Sequence, residues 1–188
     1  MTPPTAKTTA GSKAVRGVDI NESDLVERVN KFLQFAQSND YDVRTLFPLP
    51  THQLTPPQGF DQDLLTNRLR LTSVTEKGTT TFAFNTPSAY CNRMGNLHGG
   101  AAALIFDICT TTALAPISKP GYWQFAGVSA GLSVTYLRPV PCGSEVEVFS
   151  EVVSAGKRLA TLRGEIRLGG KVCMIAEHMK VNYTPLSV

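Results

Sequence analysis

The stretch from Asn92 reads N-R-M-G-N-L-H-G-G-A-A-A-L-I-F-D and holds the residue types best suited to chemistry. Asp107 is the lone polar residue between Ala101 and Ile108. A carboxylate in such surroundings is costly unless it is paired or employed. Gly99 and Gly100 open the apolar run, so they fall at the start of a helix. Backbone N–H groups there have no partner within the helix, and the dipole favours negative charge. That is a place to hold an oxyanion. Asp107 can activate a water or attack directly, and the sequence leaves both routes open.

These residues need a scaffold. The apolar run has no polar face, so its helix is expected to be buried on most sides, with Asn96 as its cap. On the N-terminal side, Leu69 and Leu71 alternate with Arg70 and Thr72, Glu76-Lys77-Gly78 makes a turn, and Thr79–Phe84 reads as a second strand. Four further strands follow the helix. Val128, Ala130, Leu132, Val134 and Tyr136 share one face of the first. Val146, Val148 and Val152 alternate with glutamates, and Ala160, Leu162, Ile166 and Leu168 alternate with polar residues. Lys171–Tyr183 closes the chain. Alternation of this kind predicts an antiparallel sheet with one face on a core. The simplest packing is α+β, one long central helix wrapped by a curved sheet of about six strands.

The 188 residues suffice for one domain and an appendage, and 42% are hydrophobic. Residues 1–18 are expected to be a disordered arm and 19–66 a helical and loop extension, with the main domain at 67–188. In the extension, Leu25, Val26, Val29, Phe32, Leu33 and Ala36 recur at helical spacing after a cap at Ser23 or Asn21. Pro48, Pro50, Pro56 and Pro57 then forbid regular structure. Lys7, Lys13 and Arg16 precede the first acid and account for the formal net charge of +3. The remaining chain is balanced, which argues against a nucleic-acid partner. No apolar run approaches the ~20 residues of a membrane span. Cys91, Cys109, Cys142 and Cys173 form no CxxC pair and no zinc pattern, so no metal or cofactor is expected. Cys91 reads as an ordinary free thiol. A cytoplasmic location is expected, with a mitochondrial one as the alternative; Pro3–Pro4 and the missing apolar face argue against a presequence.

Asn92-x-x-Gly95-x-Leu97-His98-Gly99-Gly100, with Asp107 nine residues after the histidine, resembles the hotdog-fold acyl-CoA thioesterases. The branch it is most similar to is that of phenylacetyl-CoA thioesterase-like proteins and small acyl-CoA thioesterases. Gly127-Val128-Ser129, Thr135-Tyr136, Pro139 and Gly156-Lys157-x-Leu159-Ala160 extend the resemblance over residues 68–183. It implies hydrolysis of an acyl-CoA or related thioester by a homodimer, often paired into a tetramer. Asn92 would orient the water or carboxylate, and Ser129 would hydrogen-bond the attacking group. His98 would position the helix start and can polarise the carbonyl.

Geometry adds a constraint. Gly99 and Asp107 stand about 12 Å apart along one helix and differ by about 80° around it. Two antiparallel copies of the helix across a two-fold axis would bring them onto one carbonyl.

Each assignment competes with a structural one. Asp107 could bond a neighbouring strand, Gly99 and Gly100 could serve close packing, and Asn92 could be a turn residue. Ser129 shares a small polar face with Gly131, Ser133 and Thr135 that could merely be solvated. Lys157 and Arg158, at a hairpin tip, could meet CoA phosphates or simply face water. Phe106, Trp123, Phe125 and Tyr90 could line an acyl pocket or belong to the core. Two other readings stay open: a hotdog dehydratase or hydratase relying on His98, and a non-catalytic acyl-ligand binder.

Overall fold

The computed structural model describes residues 23–37 and 61–182. The expected arm at 1–18, the proline-rich segment at 38–60 and Tyr183 lie outside the described residues.

Helix α1, Leu25–Gln37, starts at Asp24 rather than at Ser23 or Asn21. Asp24 Oδ1 accepts hydrogen bonds from the Val26 and Glu27 N–H groups at 2.9 and 3.1 Å. Its apolar face buries Val29 and Leu33, while Val26 stays 48% exposed. Arg28 Nη1 reaches the carbonyls of Ala115, Pro116 and Ser118 and ties α1 to the end of the central helix.

A short π-type turn, Leu64–Arg68, leads into the sheet. The strands are β1 Leu69–Thr75, β2 Thr79–Asn85, β3 Val128–Tyr136, β4 Glu145–Ala155, β5 Leu159–Leu168 and β6 Lys171–Val181. All pairings are antiparallel in the order β1-β2-β4-β5-β6-β3. Helix α2, Gly99–Thr112, crosses the inner face and packs on β2 to β6. Ile105, Phe106 and Cys109 are fully buried beneath it with Phe82, Val148 and Ile166. Burying an Ile or Phe side chain of this kind contributes about 1.5–3 kcal/mol. Gly164 on β5 lets the helix approach: a Cβ there would lie 2.6 Å from Phe106 Cδ1.

By length and composition alone, the helical stretch Gly99–Ile117 could cross a membrane, having 19 residues and a mean hydropathy of 1.5. This differs from the sequence expectation of no apolar run near that length, because the stretch includes the polar Asp107 and three threonines. In the fold, 61% of this stretch is buried inside the domain, so the sheet takes the place of lipid.

Strict alternation fails in β3. A register shift separates Ser129, opposite Lys180, from Gly131, opposite Met179, and leaves Ala130 as the extra residue of a β-bulge. Leu132 then faces His178 across the strands. The bulge reverses the parity upstream of it. Ser129 therefore points to the helix and leaves the Gly131–Ser133–Thr135 face to which alternation assigned it.

Candidate active site

Two groups of residues gather along α2. The first lies at its start. The helix cap is His98, correcting the expectation of Asn96: His98 Nδ1 accepts the Gly100 N–H at 3.0 Å. In the neutral ring this leaves the proton on Nε2, a free donor on an exposed side chain. The Gly100 amide is thereby occupied, whereas the Gly99 N–H has no acceptor among the described residues. Tyr136 Oη donates to Gly99 O at 2.9 Å and fixes the first turn to β3. Asn92 uses its side-chain oxygen to close the turn below, accepting from Met94 N–H at 2.9 Å and Asn96 N–H at 3.2 Å. Its amide nitrogen remains as a donor. Asn92, Gly99, Gly100, Tyr136 and Arg138 line an open groove of about 520 Å³ with Met94 at its rim.

The second group surrounds Asp107, two turns on. Ser129 Oγ donates to Asp107 Oδ1 at 2.7 Å. His178 Nε2 lies 3.0 Å from Ser129 Oγ and 3.3 Å from Asp107 Oδ1. Thr110 Oγ1 lies 2.7 Å from His178 Nδ1. Lys180 Nζ donates to Thr111 Oγ1 at 2.9 Å and to Ser129 Oγ at 3.5 Å. Burial, with the nearby Lys180 cation as a second cause, pushes the His178 pKa down to about 4. The ring is thus neutral at pH 7. Burial also lowers Lys180 to about 8, an effect that the Asp107 carboxylate opposes.

The sequence reading omitted His178 and Lys180. Both lie on the inward parity of β6, in step with Met174 and Ala176, and are 0% and 3% exposed. The signal was the same alternation that identified the strand. Two polar residues on the core parity of a strand are the side chains that demand partners.

Asp107 and Ser129 are thus in contact, while Asn92, Gly99 and Gly100 share the groove and His98 bonds Gly100. A single chain does not unite the two groups, because Asp107 and Ser129 do not line that groove. The Asp107 side chain is 42% exposed. Lys157 and Arg158 are exposed at the β4–β5 tip, where their carbonyls accept from Asn182. Of the proposed pocket aromatics, Phe106 and Trp123 are fully buried core. Trp123 adopts a positive φ of 53° and donates Nε1–H to Gly156 O at 2.8 Å. Tyr90 stacks edge-on against Phe84 at 5.7 Å. Phe125 is half-buried. Cys91 is unsuited to nucleophilic attack, since burial and the adjacent Cys142 thiol raise its pKa to about 11.

One helix inside a six-stranded antiparallel sheet, with a carboxylate on the helix and a free amide at its start, defines a hotdog-fold protein. Residues 94–183 match the model of the thioesterase superfamily. Mouse acyl-coenzyme A thioesterase 13 is 29% identical over 93 residues, covering 48% of this chain and 64% of the relative. The human protein of that name gives the same figures. The chain therefore spans slightly less than two thirds of the curated relatives' length. Mouse thioesterase superfamily member 2 superimposes with a TM-score of 0.63 at 20% identity, covering 85% of this chain and 98% of that one. The Escherichia coli PaaI protein from the phenylacetic acid degradation operon does so with 0.54 at 17% identity, covering 61% and 82%.

Proposed function

We propose that this protein hydrolyses an acyl-CoA thioester to the free acid and thiol. The observation that carries the reading is the Ser129 to Asp107 hydrogen bond of 2.7 Å on a helix whose own start presents an unused amide. Ser129 holds Oδ1, leaving Oδ2 to take a proton from water. The water oxygen adds to the thioester carbon, and the carbonyl oxygen becomes an oxyanion at the Gly99 N–H, with Asn92 and His98 as neighbouring donors. The C–S bond then breaks, and the leaving sulfur takes the proton held by Asp107, which restores the carboxylate. The names of the matched relatives support CoA as the thiol carrier.

The site needs two chains on this reading, because about 12 Å of helix separates Gly99 from Asp107. The open edge of the sheet supports a second copy. β3 has one neighbour, and Val128, Tyr136 and Leu137 on and beside it are about half exposed, at 52, 51 and 50%. A second copy along this edge would set Asp107 of one protomer near Gly99 of its partner, and pairs of such dimers would give the tetramer. On the same footing we infer a cytoplasmic setting, supported by four free thiols; finding the protein in an organelle fraction would remove it.

The test is thiol release from acyl-CoA esters of graded chain length by the purified protein. Asp107→Asn should cost about 10²–10⁴ in rate with an unchanged far-UV spectrum. Equal activity in both would overturn the assignment. Single turnover in ¹⁸O-water probes direct attack, since water opening an Asp107 anhydride at the Asp107 carbonyl would leave label in that carboxylate.

A further inference from the structure

Two chain segments wall the groove at the start of α2. One supplies Asn92, Met94, Asn96 and Leu97, the other Leu137, Arg138 and Pro139. Cys91 immediately precedes the first segment and Cys142 follows the second, and their thiols meet. Cys142 Sγ lies 3.6 Å from Thr86 O. Cys91 Sγ lies 3.9 Å from the same oxygen and 3.4 Å from Pro87 O. The two side chains are also hydrogen-bonded to each other. Backbone bonds hold this arrangement. Leu97 N–H donates to Val140 O and Cys142 N–H to Gly95 O, both at 2.8 Å, and Gly143 N–H donates to Thr86 O at 2.7 Å.

Packing alone does not account for the pair. A thiol kept as a small apolar group is buried, as Cys109 and Cys173 are, whereas Cys142 is exposed and Cys91 half-buried. Thiols in contact on a fixed frame have the approach that a disulfide requires. In a reducing compartment such pairs serve as transient, redox-sensing bonds.

We infer that Cys91 and Cys142 form a reversible modification site, which closes to a disulfide when a small disulfide such as oxidised glutathione is in excess. The exposed Cys142 starts the exchange. Its thiolate attacks one sulfur of the small disulfide, and the other half leaves as a thiolate that takes a proton. Burial first, and then the hydrogen bond and charge of the Cys142 thiol, raise the Cys91 pKa to about 11. Once Cys142 is capped only burial remains, and proximity offsets the small thiolate fraction. Cys91 then loses its proton and attacks the Cys142 sulfur, and the second half leaves as a thiol. In sum, two protein thiols give up two electrons and two protons, and one small disulfide becomes two thiols. The new bond braces the turn that Asn92 closes with its side-chain oxygen.

The test uses the full-length protein with excess oxidised glutathione at about pH 8. The native chain should lose about 2 Da, two hydrogens, and retain no glutathione. Peptide mapping should join Cys91 to Cys142 and find Cys109 and Cys173 as free thiols, and dithiothreitol should reverse the change. In Cys91→Ser the reaction should stop at a glutathione adduct on Cys142. The bond closes a loop that holds α2 and β3, so the oxidised native protein should melt about 5–10 °C higher than the reduced one. The Leu97 amide should exchange more slowly. A native chain that keeps four alkylatable thiols, or that stops at the Cys142 adduct, overturns the inference. So does a link between chains, or a Cys91–Cys142 bond that lowers the melting temperature. The native mass decides even where the variant fails to fold. None of these readings depends on turnover, so the hydrolase reading and this one stand or fall separately.

Discussion

Ser129 Oγ donates to Asp107 Oδ1 at 2.7 Å, across the gap between an edge strand and the central helix. The extra residue Ala130 makes this contact, since the bulge turns Ser129 inward alongside Leu132. Ser129→Ala should remove the donor and lower kcat about 10- to 100-fold, with KM little changed. Steady-state kinetics on a folded variant checks it, and a loss confined to KM would assign Ser129 to binding instead.

Gly99 is the first helical residue, where proline is tolerated and where the preceding His98 already has an extended ψ of 135°. Gly99→Pro deletes the free amide, and its Cβ would meet Tyr136 Oη at 3.2 Å, so that side chain has to shift by a few tenths of an ångström. Loss of one oxyanion donor should cost about 10²–10³ in kcat. Mixing it with Asp107→Asn gives a sharper result. If the site joins two chains, half the randomly formed dimers carry one intact site of two, and about a quarter of native activity returns. A site confined to one chain would return none.

His178 makes stability depend on pH. Its folded pKa is lowered to about 4, against an ordinary value of about 6.5 in the unfolded chain. Between these values the unfolded state binds more protons. Stability therefore rises with pH and is lost as pH falls from about 6.5 toward 4, at about 1 kcal/mol per pH unit. Urea midpoints at pH 7 and pH 5 measure the effect. In His178→Gln the contribution disappears, and an equal slope in both proteins would trace the loss to other groups.

Gly164 tests the helix-to-sheet contact. An alanine Cβ would meet Phe106 Cδ1 at 2.6 Å and Thr110 Cγ2 at 3.1 Å. The helix would have to shift, at a cost of about 1–3 kcal/mol. Thermal unfolding of Gly164→Ala should show a Tm lower by several degrees. Because Thr110 anchors His178, activity should fall at temperatures where the variant is still folded.

Much of the architecture could be read from the chain alone. The glutamate–valine alternation of β4 survives as exposed Glu145 and Glu147 beside buried Val146 and Val148. The apolar run after Gly99 is the buried helix, and its single acid, Asp107, meets Ser129 and His178. These features are local: a side chain's period and polarity settle which way it faces when the strand is regular. Tertiary pairing decided the rest. Whether Ser129 faces water or Asp107 depends on one extra residue in the register between β3 and β6, and no local pattern marks that bulge. The cap at His98 depends on the path of the preceding turn. The duty of His178 and Lys180 depends on which helix face lies over the end of β6. Burial makes such polar groups find partners, and the identity of those partners is set by packing between distant segments.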